Sequence, residues 1–196
     1  MSNTSPERAL AEAASELVRR NQRFALVGGL AVSIRGEVRF TRDVDLAIAV
    51  SGDAQVEALV RSLGESGYRV VALVEHEARK RLATVRLRAP SGIVVDLLAA
   101  SSGIEAEVVE RAEPVAIEGV GSIPVARAEE LLALKTLSMT DLRPQDRMDA
   151  LALLAVNPGL DVEVVRELLR WITERGFDRG QDLLAKLGSV LAGVQR

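Results

Sequence analysis

The stretch FALVGGLAVSIRGEVRFTRDVDLAIAV, Phe24 to Val50, constrains this chain more than any other. It holds two short apolar runs, a paired glycine after the first, and two acids, Asp43 and Asp45, at the mouth of the second. In a strand, residues i and i+2 face the same side, so these two carboxylates aim at one point. Beside an apolar core such a pair is costly unless something cationic sits with it.

A third acid, Asp96, is framed by Ile93, Val94, Val95, Leu97 and Leu98, where it needs either a pairing arginine or a bound cation. Three converging carboxylates make an oxygen-donor site for one or two divalent ions. Phosphoryl transfer requires that arrangement, because the ions offset phosphate charge, orient the phosphates and activate an attacking hydroxyl. Gly28-Gly29 supplies a complementary half: a strand that ends in glycines and passes into a helix exposes backbone N–H groups that can hold a phosphate.

Composition narrows the chemistry further. Cysteine is absent, which excludes disulfides, thiolate metal sites and a cysteine nucleophile. With His76 the only histidine, a Ser-His triad or a histidine-rich zinc site is disfavoured, leaving magnesium or manganese as the metal. The net charge of −3 argues against a nucleic-acid coat protein. Lysine occurs only at Lys80, Lys135 and Lys186, so 22 of the 25 basic residues are arginine. No apolar run is long enough to span a bilayer and the first residues lack an apolar signal core, so a cytoplasmic protein with no membrane partner is expected.

Helical spacing predicts a first helix from Ser5-Pro6-Glu7 to Arg20, then a strand at FALV and a short helix from Leu30 to Arg35 stopped by Gly36. A strand at VDLAIAV, a helix over 54–63 and strands over 68–74, 82–89 and 93–99 follow, the last two separated by Pro90-Ser91-Gly92. A shorter helix and a ribbon over PVAIEGVGSIPVA lead into helices at 127–139, 144–155, 161–174 and 178–192. The expected fold is α/β (α+β): a mixed β-sheet with helices over 1–125, followed by a C-terminal helical bundle over 126–196. His76 is expected at the surface and Trp171 in the core.

VGGLAVSIRGEVRFTRDVDLAIAV resembles the nucleotidyltransferase signature of the polymerase-β superfamily, in the variant GG-x-A…G…R-x-T-x-D-x-D of the AbiEii type IV toxin-like nucleotidyltransferases, with Asp96 matching the third acid. ELLALKTLSMTDLRPQDRMDALALL is similar to that family's K…[RK]-x-[KQ]-D-x-x-D-[LA] segment, which aligns Lys135, Asp146 and Asp149. The wider superfamily often has Gly-Ser in place of Gly28-Gly29, and lysine is common where this chain has Gln145.

The resemblance implies transfer of a nucleoside monophosphate from an NTP to an acceptor hydroxyl. Asp43, Asp45 and Asp96 would hold Mg²⁺ or Mn²⁺, Asp96 helping to deprotonate the acceptor, and Lys135 would contact the triphosphate. Gly28, Gly29, Arg39, Arg42, Asp146 and Asp149 complete the expected nucleotide site. A tRNA or other RNA acceptor and a cognate antitoxin are the implied partners. An antibiotic nucleotidyltransferase of aminoglycoside or lincosamide type and a non-catalytic nucleotide-binding module are the alternatives. An arginine-rich Arg79–Arg88 strip near the cleft would favour a polyanionic acceptor, and an acidic pocket a cationic drug.

Overall fold

The computed structural model describes residues 5–37 and 40–194, without the side chain of Val194. Helix α1, Pro6–Arg19, starts where Ser5 caps it: the Ser5 hydroxyl accepts from the Arg8 amide at 3.3 Å. Its apolar face, Ala9, Leu10, Ala13, Ala14 and Leu17, is buried.

Strands β1 (Phe24–Val27), β2 (Val44–Ile48), β3 (Arg69–His76), β4 (Arg81–Arg88), β5 (Val94–Leu98), β6 (Glu113–Ile117) and β7 (Gly121–Val125) form one sheet in the order β3-β4-β5-β2-β1-β7-β6. β1 pairs antiparallel with β2 and parallel with β7, and β2 pairs parallel with β5, so the sheet is mixed. The central strands β1, β2 and β5 read as near-continuous aliphatic runs because both faces are covered. Helices α2 (Gly28–Arg35), α3 (Asp53–Glu65) and α4 (Glu105–Arg111) belong to this part of the chain.

Helices α5 (Ala128–Ser138), α6 (Pro144–Val156), α7 (Val162–Glu174) and α8 (Leu183–Val194) follow. One apolar cluster runs from sheet to helices, including Leu26, Leu46 and Leu97 on strands and Leu131, Leu132, Leu153 and Leu168 on helices, each at most 1% exposed. Truncating one of these leucines to alanine removes burial and leaves a cavity, at a cost of about 2–5 kcal/mol. Asn157, at the end of α6, donates from its side-chain amide to the Arg35 carbonyl at 2.7 Å, and Arg35 Nε donates to the Ala126 carbonyl at 3.2 Å. These bonds tie α2 to both the ribbon and the helical bundle.

Four expectations need correction. α2 begins at Gly28, two residues before Leu30, because Gly28 takes φ +65° and turns the chain directly into the helix. α8 begins at Leu183 and not at 178, because Arg179 and Gly180 adopt φ +57° and +70°; Asp182 then accepts from the Ala185 amide at 2.9 Å. His76 is partly buried, its ring 4.6 Å from that of Phe177. Trp171 is only partly buried and lies under the guanidinium groups of Arg111 and Arg175, at 5.3 and 5.6 Å. None of the described helices is long and apolar enough to cross a membrane.

Candidate active site

Asp45 lies opposite Val27 on β1 and opposite Asp96 on the parallel neighbour β5. Asp43, just before β2, lines the same cleft of about 820 Å³ as Asp45, Asp96, Gly28 and Gly29. Two acids in one register of adjacent strands, with the turn from β1 into α2 against them, follow from the pleat and the parallel pairing. Gly28 has no alternative here: a Cβ at this position would sit 1.9 Å from Asp45 Oδ2. The Gly29 amide donates to the Asp45 carboxylate.

The carboxyl of Asp45 is pushed from its ordinary 3.8 up to about 6, first by burial and then by the charge of Asp96; Lys135 opposes this, and Asp43 adds to it. The acids therefore repel one another, and an added cation relieves that repulsion. Asp96, 6% exposed, is gripped by Arg86, whose Nε and Nη2 donate to its two oxygens at 2.9 and 2.6 Å. The pairing arginine anticipated for a buried acid is thus present, and it comes from the register partner on β4. Among the described residues no three acids form a ready-made metal cage. An oxygen-only set of one or two carboxylates, completed by substrate phosphates, nonetheless fits a hard ion such as Mg²⁺.

Lys135 projects from α5 and is 8% exposed. Its Nζ donates to Asp146 Oδ1 at 2.8 Å and lies 2.8 Å from Asp149 Oδ2. Asp146 and Asp149 sit three residues apart on α6 and so share a face. Arg143 Nε adds an ion-pair contact to Asp146 at 2.9 Å, and Gln145 donates to Asp149 at 2.9 Å. Lys135 and Asp146 line the cleft, whereas Asp149 is not among its lining residues.

Around the opening, Arg42, Arg86, Arg143 and Arg179 contribute to the lining, with Phe40 and Leu142 at 80% and 94% exposure. Arg42 lies over the Phe40 ring at 5.6 Å. Arg39 falls outside the described residues. The Arg79–Arg88 strip is not one surface: Arg81 pairs with Asp53 at 2.7 Å, Arg88 donates to the Gly92 carbonyl at 3.2 Å and Arg79 lies over Phe177, so only Arg86 of this set faces the cleft.

Sequence reasoning gave no role to Glu105. Its buried carboxylate accepts from the Ser101, Ser102 and Gly103 amides at 2.8, 2.6 and 3.0 Å and so fixes the loop that carries Ser101 and Ser102 into the cleft. The spacing S-S-G-I-E at a strand end, a small polar turn with an acid at the next helix start, is the signal that could have found it.

The family model described as Nucleotidyl transferase AbiEii toxin, Type IV TA system, matches residues 8–189. No curated protein matches the chain at a significant level. Solved structures share its fold. An antigenic nucleotidyltransferase-like protein from Paracoccidioides brasiliensis is 20% identical, with a TM-score of 0.53 over 96% of this chain and 94% of that one. ANT(2")-Ia in complex with adenylyl-2"-tobramycin is 16% identical, with a TM-score of 0.55 over 86% of this chain and 97% of that one. The lincosamide antibiotic adenylyltransferase LnuA, lincomycin-bound, is 14% identical, with a TM-score of 0.52 over 79% and 99%.

Proposed function

Since this chain belongs to the AbiEii family of nucleotidyl transferase toxins of type IV toxin–antitoxin systems and is a nucleotidyltransferase, we propose that it moves a nucleoside monophosphate from an NTP to a hydroxyl of an RNA acceptor, with tRNA as the first candidate and a cognate antitoxin as its partner. The observation that carries this reading is the placement of Asp45 and Asp96 in one register of adjacent parallel strands, with Asp43 beside them and the Gly28 turn against Asp45.

Asp43 and Asp45, with Asp96, are the residues that would hold Mg²⁺ or Mn²⁺. When bound, such an ion offsets charge on the phosphates and activates the acceptor hydroxyl. The chain's own groups do the rest. The Gly28-Gly29 turn, Arg42 and Lys135 bind the triphosphate; two of the three Lys135 ammonium donors are committed to Asp146 and Asp149, which leaves the third for a phosphate oxygen. The acceptor oxygen attacks the α-phosphorus, the bond to the β-phosphate bridging oxygen breaks, and pyrophosphate leaves. The proton lost by the acceptor passes to Asp96, which Arg86 holds in a fixed orientation.

Charge on the cleft lining supports a polyanionic acceptor over a cationic drug. Arg42, Arg86, Arg143, Arg179 and Lys135 stand against Asp43, Asp45, Asp96 and Asp146, and bound divalent ions add to the positive side. Incubation with labelled NTPs, Mg²⁺ and total RNA, beside an Asp43→Ala/Asp45→Ala control, tests this directly. Label on RNA only with the acids intact is the expected result. Nucleotide binding without transfer to any acceptor would overturn the catalytic reading, and transfer to a small cationic acceptor but not RNA would overturn the choice of acceptor.

A further inference from the structure

β3 is the outermost strand of the sheet, and among the described residues no strand lies on its free side. Val70, Val71, Leu73 and Val74 are between 46% and 57% exposed, so this edge presents aliphatic side chains together with an open row of backbone donors and acceptors. Residues 69–76 contain neither lysine nor proline, and the charges that flank the aliphatic stretch, Arg69 and Glu75, are of opposite sign. The ladder to β4 shifts register twice, between Val70 and Ala72, where Val71 is the extra residue on β3, and between Val74 and Glu75, where Ala83 is the extra residue on β4.

The order of residues along this edge says what covers it. Arg69-Val70-Val71-Ala72-Leu73-Val74-Glu75 is symmetric in chemistry about Ala72. Two copies paired antiparallel around that alanine set Arg69 opposite Glu75, Val70 opposite Val74 and Val71 opposite Leu73, and each pair occurs twice. Slipping by one residue would face Arg69 with His76 and bury Glu75 against Val70, losing both charge pairs. Within the described residues neither Arg69 nor Glu75 has an ion pair in its own chain, so both are available for this contact.

We propose that β3 is the interface of a symmetric homodimer in which the two seven-stranded sheets join edge to edge through antiparallel β3 strands. A twofold axis that relates antiparallel strands stands perpendicular to the sheet, so both clefts open on the same face. β3 lines the cleft through Ala72 and Val74, and the partner strand extends that wall. The paired arrangement therefore lays two transfer sites side by side along one surface, while the interface itself stands independently of which acceptor is used.

Sedimentation velocity on the full chain over a concentration series tests it. The wild type should form a species of twice the 21.0 kDa chain mass. Glu75→Arg places like charges at both symmetry-related pairs and should weaken the dimer at least about tenfold. The double exchange Arg69→Glu/Glu75→Arg restores opposite charges and should return the affinity to the wild-type range, and a cooperative thermal unfolding transition shows that the single variant folds. A wild type that stays monomeric at every concentration overturns the proposal, as does a dimer indifferent to Glu75→Arg or one the double exchange does not rescue.

Discussion

Arg86 and Asp96 occupy one register of the β4–β5 hairpin, and the guanidinium grips both carboxylate oxygens, at 2.9 and 2.6 Å. The pair is asymmetric: the Asp96 side chain is 9% exposed and that of Arg86 is 45% exposed. Arg86→Met therefore leaves a buried carboxylate without its cation. The expected loss in urea unfolding is about 1–3 kcal/mol, toward the low end because water already screens the arginine. Millimolar Mn²⁺ should recover part of the loss by supplying a replacement charge; a variant that loses stability and gains nothing from Mn²⁺ would place Asp96 outside the ion site.

The raised Asp45 carboxyl makes the metal-free protein sensitive to pH. Its folded value of about 6 lies above the ordinary 3.8, so the folded state binds the proton more tightly than the unfolded state. That contribution is fully present below pH 3.8 and is lost as pH rises through about 6. Asp45→Asn does not titrate, so without divalent ions it should gain stability relative to wild type between pH 4.5 and pH 7.5, a range that brackets the folded value of about 6. Thermal unfolding of both proteins at the two pH values reads the difference. In the same range Mn²⁺ should stabilise the wild type more at the higher pH, because ion and proton compete for one carboxylate.

Much of this site is visible in the residue order. Asp43, Asp45 and the glycine pair stand out because acids and glycines interrupt apolar runs, and period-two alternation places the acids on one side of a strand. The Arg86–Asp96 pairing was legible too: a hairpin centred on Ser91 brings together residues five before and five after it, which are 86 and 96. The union of Lys135 with Asp146 and Asp149 was not, since it depends on the angle at which α5 meets α6. Likewise the scattering of the Arg79–Arg88 strip depends on Asp53 and Phe177, which come from distant elements. Local pattern determines which face a side chain takes; which partner arrives there is a matter of packing.

Lys135 should be as important to stability as to chemistry. Removing it by Lys135→Met leaves Asp146 and Asp149, 3% and 2% exposed, sharing a buried space with no ammonium between them. Breaking a buried pair in this way costs about 3–5 kcal/mol, softened here by the Arg143 contact to Asp146 and the Gln145 hydrogen bond to Asp149. The triple variant Lys135→Met/Asp146→Asn/Asp149→Asn removes the stranded charge and should regain most of that stability while staying inactive. A double-mutant cycle in urea, run beside the nucleotide transfer assay, separates the two roles.

Gly28→Ala is the sharpest single change available at the cleft. Its φ of +65° lies in the left-handed region, where a non-glycine residue costs about 1–2 kcal/mol. The new methyl group would also sit 1.9 Å from Asp45 Oδ2, so the carboxylate has to move. The variant should unfold earlier and should lose both the Mn²⁺-induced thermal shift and nucleotide transfer. Gly64→Ala is the control: that glycine lies inside α3 with nothing within 4 Å of an added methyl, and alanine there should be neutral or stabilising by up to about 1 kcal/mol. If Gly28→Ala retained full Mn²⁺ binding, the contact between the glycine turn and Asp45 would have no part in shaping the site.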